Sequence, residues 1–282
     1  MTGSGEDRAD DWQGWVGFRR ELHDLVTERM VAEFRVVLTG AQGPGAVPPG
    51  FHWCLCPDIA PPAELGRDGH PAPGRFLPKL PLPRRMWAGG EIRFGRPFAV
   101  GDRVSRTSTI ADVTFKEGRS GRLGFVAVDH DYRVDGEVVL SERQNLVYRE
   151  DPKSGEAPPP ERAPDWAPLA TFHASPDATL LFRYSAITFN GHRIHYDHPY
   201  ATAVEGYDGL VVHGPLQAIY MQNLAASILG DLPATFRYRG LAPLTVGHPI
   251  TVEAREDEEG LALRVRRDGD GVVTMAASAT AR

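Results

Sequence analysis

The sequence predicts an α+β protein in which one structural unit is used twice. Three strand-like runs separated by short turns occupy residues 104–148, and three more occupy residues 250–277. In both halves the runs follow a similar phrase, at 92–104 and again at 236–250, with a proline and a Val-Gly pair at matching positions. One unit used twice is the simplest explanation of the match. Before its meander, only the second half has a long stretch with helical spacing at this place in the unit, so two antiparallel meanders and one principal helix are expected.

Composition divides the chain into four parts. Residues 1–10 are polar and acidic and are predicted to be disordered. The first unit covers residues 11–148, and the second covers residues 169–282. Residues 149–168, between them, contain six prolines and many charges, which is typical of a linker. We therefore expect two folded units joined by a Pro-rich segment.

The start of the first unit has a less regular pattern. Apolar residues between Trp15 and Val26 have helical spacing, which predicts a helix within residues 12–39. The last part of that range, Val31–Leu38, suits either helix or strand. Residues 40–90 are rich in glycine and proline, which prevents long regular elements, and a short strand is predicted at Phe51–Leu55. This long region is either a functional cover over a site or a poorly ordered loop, and its aromatic residues favour the ordered alternative.

The composition also restricts the partners and the location of the protein. Hydrophobic residues make up 41% of the chain and charged residues 24%, which is ordinary for a soluble globular protein. The net charge of -6 gives no basic footprint for nucleic acid. The N-terminus lacks an apolar signal core, and no apolar run has transmembrane length. We expect a cytoplasmic protein without nucleic-acid or membrane partners.

Histidine is concentrated in one part of the second unit. Four of the ten histidines lie within residues 182–223, and these are His192, His195, His198 and His213. Imidazoles beside polar side chains are what proton transfer near neutral pH requires. A histidine cluster can also serve packing alone, so the surrounding pattern has to decide.

A helix is predicted directly after His213. The apolar residues that follow recur with helical spacing, at Leu216, Ile219, Tyr220, Leu224 and Ile228. Pro215 suits the first helical position. Gly214 lies where bare backbone N–H groups and the positive end of the helix dipole can face an anionic oxygen.

The order of these residues resembles the hydratase signature of the MaoC-like, hotdog-fold enoyl-thioester hydratases. That signature has Asp-x-Asn-Pro-(Ile/Leu)-His, then x-Asp, then Tyr-Ala, then a His-Gly before the central helix. In this chain Asn190 falls at the family's Asp, His192 at its Asn, Arg193 at its Pro and His195 at its His, while Asp197, Tyr200-Ala201 and His213-Gly214 match directly. The phrase from Thr188 to Asp197 is most similar to one branch, hydroxyacyl-thioester dehydratase type 2 and mesaconyl-C4-CoA hydratase.

The resemblance implies an α+β double hotdog fold. This fold has two tandem repeats, each an antiparallel sheet around a central helix, and here the N-terminal helix would be shortened or irregular. The first repeat has no counterpart of Asn190–His195 or of His213-Gly214. The catalytic apparatus is therefore expected in the second repeat, while the first would be non-catalytic and would wall the substrate pocket.

The resemblance also implies catalytic roles. Hydration of an unsaturated thioester needs a base for the water and donors for the enolate-like oxygen. His195 is the predicted general acid/base, and the Gly214 N–H is the predicted oxyanion donor. Asn190 departs from the family's carboxylate and cannot take a proton at neutral pH. It either holds the water, fixes an imidazole or only forms a turn, and His192 or Asp197 would otherwise supply the second proton function.

Other predictions concern the surroundings of the site. His213 is expected to position the turn before the helix, Asp197 to cap a turn or orient a histidine, and Tyr200 to support the site. The residues that could contact CoA phosphates, a substrate carboxylate or the acyl group, or else be solvated or ion-paired, are Arg84, Arg85, Trp87, Arg237 and Arg239. Because the resemblance implies no metal, neither a metal nor a cofactor is predicted.

The expected function is that of a hydro-lyase acting on a CoA- or carrier-linked acyl thioester. It would hydrate an enoyl thioester reversibly or dehydrate the 3-hydroxyacyl form. The chain could function as a homodimer. Two alternatives remain. One is a hotdog thioesterase, against which Asn190 counts because those enzymes generally use a carboxylate near the helix. The other is a non-catalytic acyl-thioester binding module.

Overall fold

The computed structural model describes residues 12–118, 121–151 and 164–282. The predicted disordered N-terminus, 1–10, and most of the predicted linker, 149–168, lie outside these residues.

Ten strands and three α-helices are present in the described residues. The strands of the first half are β1 Arg19–Leu25, β2 Arg84–Phe94, β3 Arg103–Gly118, β4 Gly121–Val134 and β5 Glu137–Arg149. Those of the second half are β6 Ala170–Ala174, β7 Thr235–Gly240, β8 Ile250–Asp257, β9 Gly260–Arg267 and β10 Val273–Thr280. The helices are α1 Glu28–Val37, α2 Ala178–Thr188 and α3 Gly214–Leu229. The short helical turns are Gln13–Trp15, Phe51–Cys54, Pro62–Glu64, Arg193–His195 and Tyr200–Val204.

The strands form one antiparallel sheet that repeats its own topology. The strand order is β1-β3-β4-β5-β2-β7-β10-β9-β8-β6. Starting from the outer edge, the first half runs β1-β3-β4-β5-β2 and the second runs β6-β8-β9-β10-β7, which is the same order of equivalent strands. The halves meet edge to edge where β2 pairs with β7, from Gly89 opposite Arg239 to Arg93 opposite Thr235. The predicted α+β double hotdog architecture and its six meander strands are confirmed.

Helix α3 is the central helix of the second half. It packs against β6 and β7 to β10, and its residues from Leu216 to Asn223 are all buried. A helix covered on every side is apolar around its whole circumference, as this one largely is. Pro215 lies in its first turn, and Gly230, with φ of 76°, ends it in the left-handed conformation that favours glycine.

No equivalent of α3 occurs among the described residues of the first half. Between α1 and β2 the chain is irregular apart from the turns Phe51–Cys54 and Pro62–Glu64. The segment is nevertheless ordered by packing, since Phe51 is buried and contacts Phe34 edge to face. It is also tied to α3, because Asn223 accepts a hydrogen bond from the Gly43 N–H and donates one to the Pro49 carbonyl. The ordered alternative for this region is therefore the one observed.

Two local predictions in the first half are wrong. The predicted helix within 12–39 is a strand, β1, followed by a helix, α1, which begins where Thr27 caps the Met30 N–H. Residues of β1 alternate in exposure, but the strand lies at the edge of the sheet and carries five charged or histidine side chains, so apolar spacing misses it. The predicted strand Phe51–Leu55 is instead the helical turn at Phe51–Cys54.

Gly90 lies where β2 pairs with both β5 and β7, and these neighbours leave no space for a side chain there. A Cβ atom there would collide with the Arg143 carbonyl oxygen and lie 2.5 Å from the Tyr238 Oη. We expect Gly90→Ala to lower the free energy of unfolding by about 1–3 kcal/mol, as overpacking generally does. Urea unfolding measures this. Gly269→Ala is the matched control, because a Cβ atom at Gly269 meets nothing within 4 Å. Equal losses in both variants would contradict the packing described for this junction.

Candidate active site

His195 is held with one nitrogen engaged and the other available. It ends the turn Arg193–His195 and is 6% exposed. Its Nδ1 lies 2.7 Å from the Val211 carbonyl oxygen. A carbonyl can only accept, so Nδ1 carries the proton and Nε2 carries the lone pair in the neutral ring. Burial, chiefly, lowers the pKa of His195 to about 3, which keeps the imidazole neutral and able to accept a proton at pH 7.

Four imidazoles form a continuous chain of ring contacts. The ring centroids lie 4.4 Å apart for His70 and His192, 5.3 Å for His192 and His195, and 3.5 Å for the stacked rings of His195 and His213. Burial, chiefly, lowers the pKa values of His70, His192 and His213 as well, and repulsion from Arg85 at His70 and from other imidazoles at His192 and His213 adds to this. The site is therefore a cluster of neutral histidines, in which one positive charge would disfavour a second.

His213 is anchored by helix α2. Asp177 caps this helix at the Leu180 N–H, and the helix carries Ser185, whose Oγ lies 2.8 Å from the His213 Nε2. His213 is completely buried and immediately precedes α3. These contacts fix the ring beside the start of α3, and the positioning role of His213 stays a prediction.

A loop of the first half brings Asp68 and His70 into the cluster. The Asp68 Oδ2 lies 3.1 Å from the His70 Nδ1, and the Asp68 carbonyl accepts a hydrogen bond of 2.8 Å from the Arg193 N–H. Gly69, with φ of 85°, packs directly against the Gly191 carbonyl, a contact that any side chain would prevent. Sequence analysis missed both residues, because nothing in the local Asp-Gly-His phrase indicates what a distant glycine-rich loop will contact.

Asn190 forms a turn. Its Oδ1 accepts a 2.9 Å hydrogen bond from the His192 N–H, and its own N–H donates to the Ser185 carbonyl at the end of α2. Of the predicted roles, the turn is the one with a visible contact. This turn places His192 and starts the segment that carries His195.

The hydrogen bonds of the Asp197 and Tyr200 side chains go to groups other than the four imidazoles. Asp197 accepts hydrogen bonds from the Arg193 guanidinium, the shorter at 2.7 Å, and from the Tyr200 N–H at 3.1 Å. The Tyr200 hydroxyl donates to Glu205, which also accepts a 2.6 Å hydrogen bond from Arg84. Asp197 caps a turn, as one prediction has it, and Arg84 is occupied in a buried ion pair.

Three side chains near the histidines are spaced closely enough to hold a metal ion. Oxygen or nitrogen atoms of Asp68, His70 and His192 lie within 4.8 Å of one another. Within the described residues these three have the spacing of metal ligands, although Asp68 and His70 already satisfy each other by hydrogen bonding.

Gly214 begins helix α3, as predicted. The first N–H groups of a helix have no acceptor within the helix. Pro215, the next residue, has no backbone N–H group. A Cβ atom at Gly214 would lie 2.6 Å from the Trp87 Cε3, and Trp87 itself stacks on Tyr238 with centroids 4.5 Å apart. Trp87 is therefore a wall of the space in front of the helix start.

The candidate arginines divide between two faces of the sheet. Arg85 is 14% exposed and lies 3.8 Å from Asp68, next to the cluster. Arg237 and Arg239 are exposed on β7, on the opposite face from the buried Phe236 and Tyr238. Arg237 is paired with Glu91. The structure thus brings Arg85 to the histidines but not Arg237 or Arg239.

Membrane insertion through a helix has no support in the described part of the chain. None of its helices combines the length and the apolar character that crossing a bilayer requires.

Sequence comparisons identify related proteins over most of the chain. A family model described as hydroxyacyl-thioester dehydratase type 2 matches residues 50–246. The chain is 38% identical to mesaconyl-C(4)-CoA hydratase of Chloroflexus aurantiacus over 272 residues, which cover 95% of this chain and 97% of that protein. It is 25% identical to the mitochondrial hydroxyacyl-thioester dehydratase type 2 of Schizosaccharomyces pombe over 230 residues, which cover 72% and 76%.

Several solved structures have the same fold. HtdX of Mycobacterium tuberculosis matches with a TM-score of 0.63 at 18% identity, covering 94% of this chain and 100% of that one. A MaoC-like dehydratase from Phytophthora capsici has a TM-score of 0.65 at 13% identity, covering 99% and 98%. A further Mycobacterium tuberculosis protein, described as a double hotdog, has a TM-score of 0.54 at 14% identity, covering 94% and 96%. At such identities the likeness concerns the fold.

Fold and relatives together define the class of this protein. It is an enzyme, a hotdog-fold lyase of the hydratase and dehydratase type. More narrowly, the chain belongs to the hydroxyacyl-thioester dehydratase type 2 family. The family predicted from the motif is thereby confirmed, while the roles of His195, Asn190 and Gly214 stay predictions.

The buried histidines make the free energy of unfolding depend on pH. An unfolded histidine takes a proton near pH 6.5, whereas His195 in the folded chain has a pKa of about 3. The unfolded state therefore binds more protons between these values, and stability falls as the pH is lowered from about 6.5. Replacing His195 with glutamine should flatten this fall by up to about 1.4 kcal/mol per pH unit.

Urea unfolding of wild type and His195→Gln between pH 7 and pH 4 measures the difference. The control is His198→Gln, since His198 is exposed and should keep the wild-type slope. Identical slopes for all three proteins would contradict the neutral state of His195.

Proposed function

We propose that this enzyme reversibly hydrates an α,β-unsaturated acyl thioester and, in reverse, dehydrates the 3-hydroxyacyl thioester. His195 acts as the general acid/base. In hydration it takes a proton from water while the oxygen attacks Cβ, and the double-bond electrons move toward the thioester oxygen. The proton then passes from His195 to Cα, so that water is added across the bond and the enzyme is unchanged.

One observation carries this proposal most directly. The hydrogen bond of 2.7 Å from the His195 Nδ1 to the Val211 carbonyl fixes the ring and its tautomer. The Nε2 lone pair is then ready for a proton without any change in the ring, which is the requirement for a general base. The ring also stacks on His213, the residue directly before the start of α3.

The start of α3 can stabilise the negative charge that forms during the reaction. Negative charge develops on the thioester oxygen as water adds, and fixed donors that meet this charge lower the barrier. The Gly214 N–H lies at the positive end of a sixteen-residue helix. Trp87 fills the space that a side chain at position 214 would need, and it would pack against the bound thioester.

The substrate is a CoA thioester or a carrier-linked acyl group. Mesaconyl-C(4)-CoA hydratase is 38% identical over nearly the whole chain, which favours a short unsaturated acyl group with its own carboxylate. Arg85 beside the cluster would suit such a carboxylate, because guanidinium pairs well with carboxylates. We also propose that the protein is cytoplasmic and forms a homodimer.

Thioester hydrolysis is the competing reaction on this fold. It would release free thiol from acyl-CoA, whereas hydration removes the conjugated enoyl absorbance without releasing thiol. A screen of mesaconyl-, crotonyl- and longer enoyl-CoA that follows both signals separates the two reactions. Tight binding of these thioesters without either signal would instead favour a non-catalytic binding module.

His195→Gln should lower kcat/KM for hydration by about 10²–10⁴-fold, the usual contribution of a general acid/base. Steady-state rates from the enoyl absorbance measure this, with circular dichroism to verify folding. The exposed His198 offers a control, since His198→Gln should retain the wild-type rate. Near-wild-type turnover in His195→Gln would rule out His195 as the acid/base.

Asn190→Asp should keep the turn and change the pH dependence. An aspartate can accept the His192 N–H as the amide oxygen does, but it adds a negative charge beside the histidines. That charge favours protonated imidazole, so the acid limb of the kcat/KM profile should move to higher pH. Asn190→Ala removes the turn contact and should retain more activity than His195→Gln. An unchanged profile in Asn190→Asp would place residue 190 outside the electrostatic reach of the base.

A further inference from the structure

We propose that Asp68 and His70, carried on the first-half loop, form a second catalytic pair that supplies the water contact that the motif lacks at Asn190. The inference rests on the proposed hydration. In it, His70 is a catalytic residue that touches the water, and Asp68 is a positioning residue that acts through His70.

The first reason is that position 190 offers a poor acceptor for the water. The related hydratases have a carboxylate there, whereas Asn190 has an amide whose oxygen already accepts the His192 N–H at 2.9 Å. A water that attacks carbon is best oriented by two acceptors, one for each O–H group. His195 provides one of them, so the second has to come from elsewhere in the site.

The second reason is the geometry of the pair itself. One oxygen of Asp68 accepts the His70 backbone N–H and the other faces the His70 Nδ1, each at 3.1 Å. An ionised carboxylate can only accept, so it holds the proton on Nδ1 and leaves the lone pair of His70 on Nε2. His70 and His195 thus carry their lone pairs on the same ring nitrogen, each fixed by an acceptor at Nδ1.

The third reason is how firmly the loop is docked on the histidine turn. The Arg193 N–H donates to the Asp68 carbonyl at 2.8 Å, and the Arg193 guanidinium donates to the Arg67 carbonyl at 3.1 Å. Gly69 lies directly on the Gly191 carbonyl. These contacts join the loop to the same short segment that carries His192 and His195. The imidazoles of His70 and His195 are therefore held in fixed positions relative to each other.

The charge states of Asp68 and His70 agree with their proposed roles. Burial alone would raise the pKa of Asp68, but the His70 hydrogen bond and the nearby Arg85 outweigh it and hold the pKa well below its usual value. Asp68 is thus ionised at neutral pH. The groups facing His70 are Asp68, Arg85 and His192, and burial and Arg85 lower the pKa of His70 while Asp68 raises it.

In the resulting step the water donates one O–H to the His195 Nε2 and the other to the His70 Nε2. The first proton moves to His195 as oxygen bonds to Cβ, and His195 later returns it to Cα. The second proton stays on the oxygen and becomes that of the product hydroxyl, held by His70. No proton is left over and no further reactant is required.

The test compares Asp68→Asn and His70→Gln with two surface controls that make the same chemical changes. The controls are Asp208→Asn and His198→Gln, both at exposed positions. The readouts are kcat, KM and the pH profile on a thioester that the wild type hydrates. We expect His70→Gln to lower kcat about 10²-fold with little change in KM, and both controls to match wild type.

Asp68→Asn should lower kcat at least about tenfold and move the acid limb to lower pH, because His70 loses the carboxylate that favours its charged form. Asp68→Glu should restore part of the rate. A merely structural role of the loop would lower kcat without moving the limb. Nitrogen NMR of wild-type His70 adds a readout independent of the variants, and it should show Nδ1 protonated at pH 7.

Each remaining outcome overturns the proposal. If Asp68→Asn and His70→Gln equal wild type while His195→Gln is inactive, the pair is not catalytic and the proposed function stands. If wild type hydrates no thioester, both proposals fall together. Loss of activity with a chelator and recovery with zinc would make Asp68, His70 and His192 metal ligands. An Nε2-protonated His70 would also contradict the assignment.

Discussion

The antiparallel pairing of β2 with β7 is the contact on which the site depends. It places Arg85 and Trp87 of β2 beside the second half, and the loop with Asp68 and His70 belongs to the irregular segment that precedes β2. The long helix α3 and the histidine turn come from the second half. Neither half alone contains the complete cluster, so the sheet that joins them also assembles the chemistry.

Burial keeps the four histidines of the cluster uncharged. Transfer of a charged imidazole out of water is costly, so four imidazoles in mutual contact remain neutral. Not every polar group here is satisfied: within the described part of the chain, the buried Nδ1 of His213 and the buried hydroxyl of the neighbouring Tyr184 have no hydrogen-bond partner. Such groups lower stability, and their retention at a site is typical of function. In the proposed mechanism, a neutral His195 can accept a proton without first losing one.

Sequence reasoning captured what local pattern determines and missed what the long-range fold determines. Strand-like runs separated by short turns predict the two meanders, and Pro215 with the apolar spacing predicts α3. The edge strand β1 was missed because its charged residues carry no apolar alternation. His192, His195 and His213 were found because they lie close together in one motif. Asp68 and His70 were not, since their contact with Arg193 joins residues far apart in sequence.

The unequal halves have a consequence for how many ligands the chain can hold. Two identical hotdog units would present two helix starts and two equivalent sites. Among the described residues only the second unit has the long helix, and the first has instead the irregular segment that Asn223 anchors. Binding should therefore saturate at a stoichiometry of one thioester per chain. A second copy of the chain would add a second independent site without completing the first.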